Sequence, residues 1–250
     1  MSTPPPNPVT FACIGCGKTF EAPAILFGGR ELLPERHCEP CVSLNAITTA
    51  TDAENDAQAQ RRDEWLMICP PLYRDTDPAR ISSIFWDASE RWDPSGRIGL
   101  GFAGKSGRGK TRSAFAALEA AHQLGRSCAY ITGSGISRTI RNGFDINAPS
   151  RAASNRTLAE LRTADVLLLD DIGKQKWTDH AEQEVYDILE ERTAHCRPII
   201  WTMNSTAREF RERISADRGD AILRRLTDGE FAAEIAVEFE AIGTAEAKAA

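Results

Sequence analysis

At residues 104–111 the chain reads Gly104-Lys105-Ser106-Gly107-Arg108-Gly109-Lys110-Thr111, which satisfies G-x-x-x-x-G-K-[ST] in full. Its flanks suit it. The run Ile98–Ala103 ahead of it is apolar and short enough for a buried strand. Ser113 to Leu124 behind it is alanine-rich and stops at Gly125, a natural helix terminator. The chemistry needs this arrangement. Glycines let successive backbone N–H groups turn inward around phosphate oxygens, and the following helix adds its positive end. Gly104, Gly107, Arg108, Gly109, Lys110, Thr111 and Arg112 are therefore expected to bind a nucleotide. Lys110 would neutralise the β- and γ-phosphates, and the Thr111 hydroxyl would serve a magnesium ion.

Such a loop works with a second strand that ends in a carboxylate. Val166-Leu167-Leu168-Leu169-Asp170-Asp171 supplies one. Asp170 would hold Mg²⁺ through water, and Asp171 would face the γ-phosphate and orient the attacking water. Taken alone, an apolar run ending in Asp is a common strand terminus. Behind a complete phosphate loop it reads as a functional pair.

Further strands are expected at Cys128–Thr132, Pro198–Met203 and Ala232–Val237. A helix is expected over Glu182–Arg192, with Asp179 and Glu182 as a candidate capping box. Apolar runs without strict alternation suit strands buried on both faces, and strand–helix alternation implies a parallel sheet covered by helices.

These motifs together resemble the AAA+ ATPases, and within them the DnaC/DnaI helicase loaders and the IstB-like ATP-binding proteins. Leu167 to Gly173 resembles the family's Walker B with its trailing glycine. Ile188 to Arg192 followed by Pro198 to Asn204 resembles its helix, arginine, strand and sensor asparagine. Ala221 to Leu226 resembles the arginine-finger segment, and Cys69 to Arg74 the start of the domain. The resemblance implies an α/β fold, a P-loop AAA+ parallel sheet flanked by helices. It implies that Asn204 contacts the lytic water or γ-phosphate, the alternative being a turn cap. It also implies that Arg225 reaches a neighbouring subunit's site, with Arg224 as its competitor, and that Arg192 forms an ion pair near the same site. Aspartate at 171, where many relatives carry glutamate, points to slow, partner-stimulated hydrolysis. Little follows the last expected strand and no arginine follows Arg225, so a C-terminal lid is expected to be absent and the tail from Thr244 frayed.

The N-terminal part has another character. Cys13-Ile14-Gly15-Cys16 and Cys38-Glu39-Pro40-Cys41 form two Cys-x-x-Cys pairs, and the gap between them runs slightly past the usual zinc-ribbon spacing. A four-cysteine zinc-ribbon site is expected at Cys13, Cys16, Cys38 and Cys41, with Phe11 and Phe20 among its few core contacts. Cys69, Cys128 and Cys196 are read as buried bystanders. The expected division is a zinc-binding module at 1–43, a linker or connecting helix at 44–68, and an ATPase domain at 69–250.

The formal net charge of −6 argues against a surface coated for bulk nucleic-acid binding but leaves room for a local basic groove. Arg138, Arg141, Arg151 and Arg156 fall in a Gly/Ser/Asn-rich stretch and form either such a DNA-facing site or a solvated loop. No stretch is long and apolar enough to span a membrane, and the start lacks a secretory pattern, so a cytoplasmic protein is expected. The resemblance implies ATP, Mg²⁺ and Zn²⁺ as cofactors and self-association through the nucleotide interface. The expected function is replicative helicase loading, with a ring helicase and single-stranded DNA as partners. The alternative is an IstB-like transposition accessory ATPase acting on duplex DNA.

Overall fold

The computed structural model describes residues 8–23, 25–27, 30–32, 37–146, 148–174, 176–228 and 233–238. The expected frayed tail lies outside them. The chain divides into two compact units, Met1–Gln60 and Arg61–Ala250.

The first unit holds two antiparallel hairpins. In one, β1 (Pro8–Ala12) pairs with β2 (Thr19–Pro23), and in the other β3 (Ile25–Phe27) pairs with β4 (Arg30–Leu32). The β1–β2 register sets Phe11 opposite Phe20, with ring centroids 6.0 Å apart. The polar segment that reads as linker or helix is helical: α1 spans Glu39–Ile68, beginning inside the second cysteine pair. Val42, Leu44 and Ile47 on it are exposed.

The second unit is built on one five-stranded sheet. Its strands are β5 (Gly99–Gly104), β6 (Cys128–Thr132), β7 (Val166–Ile172), β8 (Ile199–Met203) and β9 (Ala233–Glu238). They lie in the order β6-β7-β8-β5-β9, and every neighbouring pair is parallel. All five strands match the expected apolar runs to within two residues, and β5, β7 and β8 are apolar nearly throughout because both of their faces are covered.

Alternate strand residues feed two cores. Leu100, Phe102, Val166, Leu168 and Ile200 pack with α2 (Ser83–Arg91), α3 (Lys110–Gln123) and Trp65. Leu167, Leu169, Ile199, Trp201 and Met203 pack with α4 (Gly133–Asn142), α5 (Ala148–Thr163), α6 (Asp179–Ala194), α7 (Ala207–Arg213) and α8 (Ala216–Thr227). Trp201 crosses β5 so closely that a Cβ on Gly101 would lie 2.2 Å from its ring, which is why that strand carries glycine there.

Several expectations need correction. The helix after the phosphate loop starts at Lys110, not Ser113. α6 is capped by Thr178, whose hydroxyl accepts the Ala181 N–H. Glu182 is instead buried and bonded to the Ser215 backbone N–H and hydroxyl. Cys196 is exposed on a turn with φ 51°, whereas Cys69 and Cys128 are buried. Among the described residues Arg192 pairs with no carboxylate. It is fully buried and donates to the carbonyls of Leu161, Ala164 and Pro198 at 2.8–2.9 Å. Those carbonyls precede β7 and β8, at the sheet end opposite Asp170, so Arg192 ties strand starts together. Burial pulls its pKa down to about 9. No helix among the described residues is long and apolar enough to cross a membrane.

Candidate functional site

Parallel strands deliver their C-terminal ends to one edge of the sheet, and the acids and the phosphate loop meet there. A cleft of about 570 Å³ is lined by Ser106, Gly107, Gly109, Lys110, Thr111 and Arg112 from the loop and the start of α3. Asp170, Asp171, Lys174 and Asn204 line it from the ends of β7 and β8, and Tyr73, Asp75, Asp77 and Arg80 from the segment before α2.

Local geometry explains the loop's composition. Gly109 stands at φ 93°, where an L side chain is strained, and a Cβ there would lie 2.7 Å from Ile81. It caps α3, so the first N–H groups of that helix open onto the cleft. The Lys110 ammonium donates to the Gly104 carbonyl at 2.8 Å and the Lys105 carbonyl at 2.7 Å. Burial pulls its pKa down, opposed by Asp171 and Asp170.

Across the cleft the Thr111 hydroxyl donates to Asp170 Oδ1 at 2.9 Å, and Thr202 donates to the same oxygen at 2.6 Å. Burial pushes the Asp170 pKa up, while these two hydroxyls push it down. A buried carboxylate beside a threonine at the head of the loop helix is the donor set that holds a magnesium–phosphate group. Asp171 follows with φ 52°, and the β7–β8 register shifts between Leu169 and Ile172. This turns Asp171 out of the ladder and into the cleft, a strained placement of the kind found at functional sites. Its backbone N–H goes to Thr202 at 2.8 Å, its Oδ1 accepts from Asn204 Nδ2 at 2.5 Å, and its Oδ2 lies 3.7 Å from the Lys174 ammonium.

Most of the expected nucleotide residues thus converge. Arg112 lines the cleft while bonding the Asp75 carbonyl and lying over the Tyr73 ring. Arg108 turns away to pair with Glu238 on β9. Arg225 does not line its own chain's cleft: it pairs with Glu190, donates to the Tyr186 hydroxyl at 2.9 Å and lies over that ring. Arg224 is exposed. Thr202 and Lys174 escape sequence reasoning, because their meaning comes from strand adjacency and loop path.

The first unit holds the other cluster. The Sγ atoms of Cys13, Cys16, Cys38 and Cys41 lie within 4.8 Å of one another, with Cys16 and Cys38 3.6 Å apart. Thiolates around a tetrahedral zinc at ~2.3 Å stand ~3.8 Å apart, so the cluster fits that ion. The Cys38 backbone N–H donates to Cys13 Sγ at 3.3 Å and draws its pKa down to about 6. Cys41 is pushed up to about 12 by Cys16, Cys38 and Cys13 around it. Thiols this close cannot all ionise side by side, and a divalent cation resolves the conflict.

Arg138 and Arg141 lie on α4, and Arg151 and Arg156 on α5. These arginines are on helices, not in a loop, and all four are exposed. Between the helices Phe144 and Ile146 stand exposed, the Phe144 ring 4.7 Å from His180.

The family model of IstB-like ATP binding proteins matches residues 98–238, from the start of the sheet through β9. Among solved structures, AMPPCP-bound DnaA from Aquifex aeolicus is similar at TM-score 0.48 and 18% identity, covering 62% of this chain and 44% of that one. The DnaC helicase loader is similar at TM-score 0.47 and 19% identity, covering 70% of this chain and 98% of that one. DnaI is similar at TM-score 0.46 and 19% identity, covering 62% and 77%. The chain therefore spans less than half the length of that DnaA chain. No curated protein matches it.

Proposed function

The chain belongs to the IstB-like ATP-binding protein family, and on that premise we propose that it is a magnesium-dependent ATPase that loads a replicative helicase onto single-stranded DNA. The observation that carries the ATPase reading is the bond from Thr111 to Asp170, which joins the phosphate loop to the acid strand. Lys110 would exchange loop carbonyls for β- and γ-phosphate oxygens. Thr111 and Asp170 would hold Mg²⁺, which supplies charge neutralisation of the phosphates when bound. Asp171, steadied by Asn204, would orient the attacking water. Arg225 would complete a neighbouring subunit's site, which makes self-association part of the activity. A cytoplasmic setting goes with this reading, because ATP is at hand there and a reducing compartment keeps the four cysteines available to zinc.

The single-strand reading rests on α4 and α5. Exposed arginines track a phosphate backbone, and Phe144 among them offers a ring on which an unpaired base stacks. The zinc module would grip the helicase, with the exposed Val42, Leu44 and Ile47 at the start of α1 offering apolar area for that contact. A second reading is a transposition accessory ATPase acting on duplex DNA, which the resemblance of the motifs to IstB-like proteins implies.

The test is to load tagged Asp171→Asn with ATP, capture it from a cell lysate and identify what is bound. That change leaves magnesium–ATP bound and blocks turnover, so transient partners are held. A ring helicase that is lost on replacing Cys38 and Cys41 supports the loader reading. A transposase, or duplex DNA without helicase, replaces it with the second reading.

A further inference from the structure

The turn that leaves β7 carries a lysine that the phosphate-loop motif does not call for. Lys174 follows Asp171 by three residues, lines the nucleotide cleft and is 73% exposed. Its ammonium stands 3.7 Å from Asp171 Oδ2, and it is the one cation ion-paired with Asp171 among the described residues. The two oxygens of the acid are thus held differently. Oδ1 accepts a hydrogen bond from Asn204 Nδ2, and Oδ2 has only a loose ion pair.

The other cations on the cleft wall near the acids are more firmly committed. Lys110 is bonded to two loop carbonyls, and Arg112 to the Asp75 carbonyl and the Tyr73 ring. The backbone below Lys174 is fixed, since the Gly173 carbonyl accepts from Arg213 on α7. Only the lysine side chain has to move for its charge to move. An ammonium on a flexible four-carbon stem is a point charge that follows the strongest anion within reach. The terminal phosphate of a triphosphate carries more charge than one half-exposed carboxylate.

We infer that Lys174 reads the γ-phosphate: its ammonium leaves Asp171 Oδ2 for the terminal phosphate of bound ATP. The chain thereby discriminates ATP from ADP, and Asp171 is free to take the attacking water only when there is a γ-phosphate to attack. With ADP the lysine stays on the acid. This rests on the ATP reading of the cleft and on the water-orienting role of Asp171.

Equilibrium binding of ADP and of the non-hydrolysable analogue AMPPNP to the full chain, with magnesium, tests it on Lys174→Met and Lys174→Arg. Losing one charge-assisted contact to phosphate lowers AMPPNP affinity about tenfold in Lys174→Met and leaves ADP affinity unchanged. Lys174→Arg keeps most of the preference. An equal loss for both nucleotides, or no loss for AMPPNP, overturns the inference while the ATP reading stands. Failure of the unaltered chain to bind either nucleotide removes the ATP reading and the inference with it.

Discussion

The Thr202 hydroxyl donates to Asp170 Oδ1 at 2.6 Å, and its oxygen accepts the backbone N–H of Asp171 at 2.8 Å. One side chain on β8 thus holds Asp170 in place and fixes the backbone that turns the next acid into the cleft. Thr202→Val keeps the shape and removes both bonds. The Asp171 N–H then lacks its acceptor, at a cost of about 1–3 kcal/mol in stability. Asp170 loses one of the two hydroxyls that restrain its upward pKa shift. Magnesium-dependent ATP affinity should fall about 10–100-fold, as for other residues that orient a metal ligand. Magnesium titrations of ATP binding beside thermal melts check this, and wild-type values in both would show that Thr202 only fills space.

Asp170 is held at a cost to the fold. Burial raises its pKa above the ordinary value of 3.8, so the native state binds its proton more readily than the unfolded chain does. The ionised form is therefore destabilising at all pH values above the raised native pKa. The penalty fades as pH falls through that value toward 3.8. Asp170→Asn keeps an oxygen for Thr111 and Thr202 and removes the charge. Without nucleotide it should be more stable than the parent by about 1 kcal/mol at neutral pH, with the gain shrinking toward about pH 4. Magnesium–ATP binding should be lost. Melts across that range decide it: a gain that persists at low pH would place its origin elsewhere.

The central strands were legible because they are covered on both faces, so each is an apolar run bounded by polar residues, as in Val166–Leu169; β9 at the sheet edge carries Glu234 and exposes Ile235 and Val237. The phosphate loop was legible because its spacing is set by the phosphate it wraps. Thr202 was not, because its role depends on which strand lies beside β7 and on the register shift after Leu169. Glu182 resembles a helix-start residue locally, yet its carboxylate turns to Ser215, far along the chain. Arg192 resembles a site arginine by its order in the motifs, but its carbonyl partners become neighbours only in the folded sheet.

That last residue yields a third prediction. Arg192 satisfies several buried carbonyls at the starts of β7 and β8. Arg192→Met takes a donor from each of them, with only the Pro198 carbonyl keeping the Leu167 N–H, and should cost about 3–5 kcal/mol. Because the contacts lie at the far end of the sheet, nucleotide affinity of the folded fraction should not change. Urea unfolding with and without ATP separates the two effects. A selective loss of affinity would return Arg192 to the active site.

The cysteine cluster predicts about one equivalent of tightly bound zinc per chain, measured by elemental analysis of protein purified without added metal. A strong chelator, or Cys38→Ser with Cys41→Ser, should remove the zinc and the amide-exchange protection of residues 8–23, since so short a unit has little core of its own. ATP affinity should be unaffected. A metal-free chain with the same exchange protection would mean that the thiols are only neighbours.

Arg225 offers the sharpest test of self-association. Within its own chain the guanidinium is taken up by Glu190 and Tyr186 and stays 12% exposed, so its use in a neighbouring site requires that bracket to open. Arg225→Ala should leave ATP binding intact and lower turnover on the order of 10³-fold if the arginine acts across subunits. Asp170→Asn subunits lack a working site but keep Arg225. Neither variant should turn over ATP alone, whereas a mixture should recover a fraction of wild-type activity that peaks near equal amounts. Recovery at that ratio requires the arginine of one subunit to serve the cleft of another. A mixture as inactive as its parts would assign Arg225 to the fold through Glu190 and Tyr186. Unaltered turnover in Arg225→Ala alone would transfer the question to the exposed Arg224.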